Sequence, residues 1–173
     1  ATNQNDILHR FFTTGDYLQG DVLPSHAPSM DIQAASNFER FLFFILDKDP
    51  ARVREIMAQI KSGAPVHIDL PETSFRASRM SDDEIAATIR RVWKDHQYVV
   101  DPHTACAFTD MATDRTSVVL ATASPAKFPE VVAQATGSEP THPTLEALKS
   151  LPLQNHALPA TKEAVEAFIK AHA

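Results

Sequence analysis

The chain has 173 residues, 43% apolar and 22% charged, with a formal net charge of −6. That is enough for one domain with a buried core, and it has the wrong sign for gripping a nucleic-acid backbone or an anionic membrane surface. The single cysteine, Cys106, excludes an intrachain disulfide and suits a reducing, cytoplasmic setting. No apolar run approaches the roughly 20 residues of a membrane span.

In chain order, residues 5–14 predict a short helix with Ile7, Leu8, Phe11 and Phe12 on one face and Gly15 as its stop. Residues 18–35 are irregular, broken by Pro24 and Pro28. Ser36-Asn37-Phe38-Glu39 has the spacing of a capping box, and Phe38, Phe41, Leu42 and Ile45 follow at helical intervals. Asp49-Pro50 opens the next helix, whose stripe is Val53, Ile56, Met57 and Ile60, with Ser62-Gly63 ending it. Val66 to Leu70 reads as a strand or a loop. Ser81-Asp82-Asp83-Glu84 is a second capping box, opening a helix that turns Ile85, Ile89, Val92 and Trp93 inward. Its early acids and later Arg90, Arg91 and Lys94 match the helix dipole.

From residue 98 the rhythm changes. Tyr98-Val99-Val100 predicts a strand, Asp101-Pro102 opens a helix running to about Met111, Val118 to Ala121 predicts a buried strand, and Ser124-Pro125 opens another helix ending at Gly137. Strands joined by a helix are normally parallel, and ligands of open α/β sheets sit outside the carboxyl edge. Asp101, His103 and Thr104 would then share a crevice with Thr122 and Ser124. Asp101 and Ser124 are accounted for as helix caps, whereas the Thr122 hydroxyl precedes the cap and needs another purpose. The tail carries a short helix near 144–150 and a terminal helix from Thr161.

Four glycines, well under the usual ~7%, leave no GxGxxG, P-loop or GxSxG elbow. Eight dispersed histidines show neither HxH nor HExxH spacing, so no metal is expected. His103 could act as a ligand or base, but a packed loop histidine is the commoner outcome. Cys106, near a helix start, is a candidate low-pKa thiol, set against an ordinary buried cysteine. Asp82, Asp83 and Glu84 are accounted for by the first turn of their helix. Asp31 lies in a loop with no spacing to define its role.

Four ordered stretches resemble the threonine synthase family: Asn3-Gln4-Asn5-Asp6-Ile7-Leu8 with Arg10-Phe11-Phe12 and Gly15-Asp16-Tyr17; Pro28-Ser29-Met30-Asp31-Ile32 with Ser36-Asn37-Phe38-Glu39-Arg40; Asp101-Pro102-His103-Thr104-Ala105; and Ala121-Thr122-Ala123-Ser124-Pro125-Ala126-Lys127-Phe128. The resemblance covers residues 3 to 128 and is to the C-terminal part of the family. It implies part of a three-layer α/β sandwich of the tryptophan-synthase-β-like class, mostly helical with a few parallel strands. Residues 1–35 would follow the family's phosphate cup, 36–97 would be helical, 98–137 a βαβα wall of the cofactor site, and 138–173 terminal helices.

The implied cofactor is pyridoxal 5'-phosphate and the implied substrate O-phosphohomoserine, converted with water to threonine and phosphate. The family's cofactor-holding lysine and its glycine-rich phosphate cup lie upstream of the matched stretches. The resemblance therefore assigns no catalytic residue to this chain, not even Lys127, and makes the remaining N-terminal part of the same polypeptide its partner. By itself the chain is expected to be inactive and without cofactor.

Thr122 carries over as the hydroxyl facing the pyridine nitrogen. Asn3, Asn5 and Asp6 would lie near the cofactor phosphate, or else cap the helix at 5–14. Asp101, His103, Thr104 and Ser124 are expected to line the cleft. Ser124 departs from the histidine common in the family, so whatever that imidazole does is not supplied here. The alternative is a free-standing α/β ligand-binding or interaction module that reuses the scaffold.

Overall fold

In a computed structural model, residues 1–72, 75–109, 111 and 114–172 are described. They form two compact units, Ala1–His142 and Pro143–Ala173.

The first unit begins with α1 (Ile7–Thr14), which buries Ile7 and Phe11 and stops at Gly15, whose left-handed backbone (φ 81°) lets its N–H reach the Phe11 carbonyl. Gly15 also starts the only two-stranded sheet among the described residues: β1 (Asp16–Tyr17) pairs antiparallel with β2 (Val66–His67). Between them lie α2 (Phe38–Ile45) and α3 (Pro50–Lys61). The segment before α2 makes a 3-10 turn at Pro28–Met30. These elements close over one core, with Phe11, fully buried, at its centre. Phe38 meets Phe11 edge-on at 4.7 Å between ring centroids, and Tyr17 and Phe41 complete the aromatic cluster. Edge-to-face pairs of this kind add about 1 kcal/mol to the area they bury.

A second core is built by α4 (Asp82–His96), α5 (Pro102–Cys106) and α6 (Pro129–Thr136), around Ile85, Ile89, Val100, Ala105, Cys106 and Ala135. The second unit contains α7 (Pro143–Leu148) and α8 (Lys162–His172).

Three of the expected caps form as spaced, among them Asp101, which accepts from the N–H groups of His103 and Thr104. Asp49 accepts from the N–H groups of Ala51 and Arg52. The Ser81 hydroxyl accepts from Glu84 N–H at 3.4 Å while the Glu84 carboxylate takes Ser81 N–H at 2.7 Å. The box expected at Ser36 does not form. A backbone turn takes Phe38 N–H to the Ala35 carbonyl, so a donor that Ser36 would have capped is already used and α2 begins one residue later, after Asn37.

Three further expectations are corrected. Tyr98–Val100 and Val118–Ala121 form no strand, and among the described residues neither takes part in a ladder of hydrogen bonds. Val100 is buried, whereas Val118 and Leu120 are 83% and 76% exposed. No parallel strand–helix–strand unit is therefore closed within the described residues; their one parallel pairing is the isolated bridge between Thr2 and Arg79. The helix after Asp101 ends at Cys106, well short of Met111. The helix after Ser124 is split into a 3-10 turn, Pro125–Lys127, and α6, with Phe128 at φ −132°, ψ 54° between them. The cause is Pro129, whose ring drives the preceding residue out of helical geometry.

Candidate functional site

The site grows from the start of α5. Asp101 caps that helix: its Oδ1 accepts from the N–H of His103 at 2.9 Å and of Thr104 at 3.3 Å. Pro102 at the first helical position needs no partner of its own. This cap fixes two side chains at once. His103 turns its Nδ1 to Asp101 Oδ1 at 3.1 Å. Its Nε2 accepts from the backbone N–H of Ser29 at 3.0 Å, 74 positions away. Because Nε2 is the acceptor there, the hydrogen-bond pattern assigns the ring proton to Nδ1. The Thr104 hydroxyl donates to Asp101 Oδ2 and its oxygen accepts from the N–H of Thr122 at 3.2 Å. Asp101, His103 and Thr104 are all at most 5% exposed.

Beside this network lies an open cleft of about 490 Å³, bordered by Met30, His103, Ala107, Met111, Ser117 to Leu120, and Thr122. Thr122 is exposed, and among the described residues its hydroxyl has no hydrogen-bond partner. The walls are largely aliphatic, and the Phe128 ring packs on the imidazole of His103 at 4.7 Å between centroids. Largely aliphatic walls with the uncommitted hydroxyls of Thr122 and Ser117 fit a flat heterocycle bearing a polar ring atom.

The sequence-selected residues fall into two groups. His103 and Thr122 line the cleft, and Asp101 and Thr104 lie behind them. Ser124 is half-buried, is not part of the cleft lining, and makes no side-chain cap, so its expected capping is corrected: the backbone of a 3-10 turn already joins Lys127 N–H to the Ser124 carbonyl.

Asn3 and Asn5 are 0% and 2% exposed, and their amides are spent inside the chain. Asn3 Nδ2 donates to Ser25 Oγ, the Ala27 carbonyl and Asp31 Oδ1, while Asn5 Nδ2 donates to the Leu23 carbonyl and Asp31 Oδ1. Neither asparagine caps α1. Asp6 is the N-cap residue of α1 without a side-chain cap bond; it pairs instead with Arg10 at 3.0 Å and Arg79 at 2.9 Å. Of the two readings of Cys106, the structure bears out the ordinary buried cysteine. Burial pushes its pKa up to about 11, and its Sγ lies 3.4 Å from the Pro102 carbonyl.

Sequence reasoning missed the parts of the site that have no local pattern. Ser29 contributes through its backbone, and Asp31 collects donors from Asn3, Asn5 and Ser25, 6 to 28 positions away. The only available signal was that Asp31 is an acid in a proline-containing loop. Among the described residues no cluster of potential metal ligands occurs, and no helix is long and apolar enough to cross a membrane.

Residues 103–169 match the family model described as threonine synthase, C-terminal. A curated threonine synthase from Methylobacillus glycogenes is 33% identical, the match covering 99% of this chain and 39% of that protein. The crystal structure of pyridoxal-phosphate-bound threonine synthase from Brucella melitensis superposes with a TM-score of 0.85 at 38% identity, covering 99% of this chain and 39% of that one. Yeast threonine synthase superposes at 0.78 with 29% identity, over 98% and 40%. The fold is therefore a mostly helical portion of the α/β architecture of fold type II pyridoxal-phosphate enzymes. The chain belongs to the threonine synthase family, corresponds to the C-terminal portion of its members, and spans about 39% of the length of the curated relatives it matches.

Proposed function

We propose that this chain forms the wall of a threonine synthase active site that receives the pyridine ring of pyridoxal phosphate, with Thr122 as the partner of the ring nitrogen. The observation that carries this reading is the exposed Thr122 hydroxyl, without a partner among the described residues, on a cleft of largely aliphatic lining. The reaction is the conversion of O-phosphohomoserine and water to threonine and phosphate. The lysine that holds the cofactor and the glycines that bind its phosphate belong to the part of the relatives' length that this chain does not span. The setting is the cytoplasm.

When bound, pyridoxal phosphate supplies the electron sink that stabilises carbanions on the substrate. The residues of this chain set the conditions for it. The Thr122 hydroxyl holds the ring nitrogen without a formal charge, whereas a carboxylate would keep that nitrogen protonated and more electron-withdrawing. Met30, Ala107 and Val119 exclude water from the ring. His103 has both ring nitrogens committed, to Ser29 and Asp101, and so holds a wall and carries no proton to or from substrate. Asn3, Asn5 and Asp6 brace the chain behind the site.

The test is Thr122→Val in the cofactor-loaded enzyme. The expected result is a fall in kcat of about tenfold or more, equivalent to ~1.4 kcal/mol of barrier, with a changed absorption maximum of bound cofactor and an unchanged melting temperature. An unaltered rate and spectrum would refute the assignment. The 173-residue chain alone, mixed with pyridoxal phosphate, is expected to give no absorbance from lysine-attached cofactor and no turnover. Turnover from it would overturn the division of labour between this chain and the rest of the polypeptide.

A further inference from the structure

The Asp101 carboxylate does more than cap a helix. A cap needs one oxygen, and Oδ1 supplies it, accepting from the N–H groups of His103 and Thr104. The second oxygen accepts the Thr104 hydroxyl proton. That direction is imposed: a carboxylate can only accept, so the Thr104 hydroxyl must donate to it and must present a lone pair elsewhere. The group that receives the lone pair is the N–H of Thr122 at 3.2 Å.

A second arm leaves the same carboxylate through the His103 ring and ends on the N–H of Ser29, in the turn that carries Met30. Both arms start at a backbone N–H of a cleft wall and finish on one buried acid. Segment 117–123 belongs to no helix or sheet, so among the described residues the Thr104 contact is what ties Thr122 to α5.

We propose that Asp101 and Thr104 are positioning residues that fix the Thr122 turn, and with it the height of the Thr122 hydroxyl, against the cofactor ring. This rests on the reading of Thr122 as the partner of the pyridine nitrogen. Thr104 never touches substrate or cofactor; it acts through the backbone of Thr122. The two arms are separable: removing the Thr104 hydroxyl releases Thr122 and leaves Ser29 bound to His103.

The experiment compares Thr104→Val, Thr104→Ser, Asp101→Asn and Thr122→Val. In the 173-residue chain, Thr104→Val speeds amide hydrogen exchange at Thr122 by about tenfold, the effect of losing one ordinary hydrogen bond, while exchange at Ser29 stays unchanged. In the pyridoxal-phosphate-loaded enzyme, Thr104→Val lowers kcat by about fivefold or more with KM within twofold, a pure loss of transition-state stabilisation. It also shifts the circular dichroism of the bound cofactor in the same direction as Thr122→Val. Thr104→Ser, which keeps the hydroxyl, restores all three readouts.

If Thr104→Val does not fold, Asp101→Asn carries the test. Its amide nitrogen would donate to Thr104 Oγ and leave the Thr104 hydroxyl proton without its carboxylate acceptor. The Thr122 signature is then expected with the Ser29 arm intact. Unchanged exchange, kcat and dichroism in the Thr104→Val or Asp101→Asn enzyme, beside an altered Thr122→Val enzyme, overturns the positioning role and leaves the reading of Thr122 standing. Wild-type behaviour of Thr122→Val itself overturns both. An effect of Thr104→Val without any effect of Thr122→Val shows that the network acts elsewhere and also sinks the proposal.

Discussion

The N–H of Thr122 and the hydroxyl oxygen of Thr104 meet at 3.2 Å across 18 positions of sequence. The contact joins the first residues of α5 to a segment that no helix or sheet holds. It holds the cleft-lining Thr122 to the helix behind it by a single polar link instead of by a ladder of strand hydrogen bonds.

Asp31 is a structural hub whose loss is expected to cost about 3 kcal/mol. Oδ1 accepts from Asn3 Nδ2 at 2.6 Å, Asn5 Nδ2 at 3.0 Å and Ser25 Oγ at 2.6 Å, and Oδ2 from Ser25 N–H at 3.0 Å. Every partner is a donor, so Asp31→Ala leaves the hydroxyl and N–H of half-buried Ser25 without their acceptor, at ~1–3 kcal/mol each, and takes one acceptor from each of the Asn3 and Asn5 amides. Asp31→Asn is expected to fail as well, since it turns an NH₂ group toward donors. Urea denaturation measures both, and stability within about 0.5 kcal/mol of the parent for Asp31→Asn, the scatter of a neutral surface change, would contradict the hub.

Much of the architecture was legible because it is encoded locally. The caps at Asp49, Ser81 and Asp101 are side chains serving N–H groups two or three residues away, and the apolar stripes of α3 and α4 repeat within a turn. The strands expected at 98–100 and 118–121 do not form, because strand character depends on a neighbour that a sequence window does not contain. The break before α6 could have been read from Phe128-Pro129, a pair that disfavours helix at its first residue. In the site, Asp101, His103, Thr104 and Thr122 were singled out and the fold brings them together, whereas the Ser29 backbone and the donors around Asp31 come together only through the tertiary fold.

Gly15 is expected to tolerate no side chain. Its φ is 81°, and an added Cβ would collide with the Ile68 carbonyl oxygen, while Gly15 O accepts from Ile68 N–H at 3.0 Å. Gly15→Ala therefore combines a left-handed backbone with a backbone clash, and should destabilise by more than about 1 kcal/mol. Gly63→Ala is the control: it has a similar φ, but nothing lies within 4 Å of its added Cβ. Thermal melts of the two variants separate the collision from the dihedral strain, and equal losses would show that the collision is relieved.

The β1–β2 pair carries a pH dependence. His67 lies 2.6 Å from Asp16 and 3.3 Å from Asp69, and hydrogen bonds first to Asp16 and then to Asp69 raise its pKa above the ordinary 6.5. A raised pKa in the folded state makes the contribution complete below the unfolded value and lost as pH rises through the folded one. For Asp16 the sign is opposite: the hydrogen bond to His67, then that to Thr14, lowers its pKa below 3.8, so its contribution is present above that value and lost as pH falls through the folded one. The difference in melting temperature between the parent and His67→Gln should be largest between these limits and shrink above neutrality. A difference constant from pH 5 to pH 9 would refute the coupling.

Cys106 is expected to be inert in the folded chain. It is fully buried, and burial raises its pKa to about 11, so almost no thiolate exists at pH 8. An aromatic disulfide reagent should label nothing under native conditions and one equivalent in denaturant. Native labelling at the rate of a free thiol would contradict the burial. The same measurement gives a clock for opening of the second core, because reaction requires Cys106 to be uncovered.

The exposed stretch around Val118 and Leu120 bears on how this chain behaves in the tube. An aliphatic segment outside any sheet, with side chains 83% and 76% exposed, is open to pairing with another chain. A net charge of −6 spread over the surface keeps molecules apart on average, but it does not guard that short edge. Concentration, more than temperature, should therefore set the limit on handling the chain, and a lysine at position 118 or 120 would act as a gatekeeper that extends its soluble range.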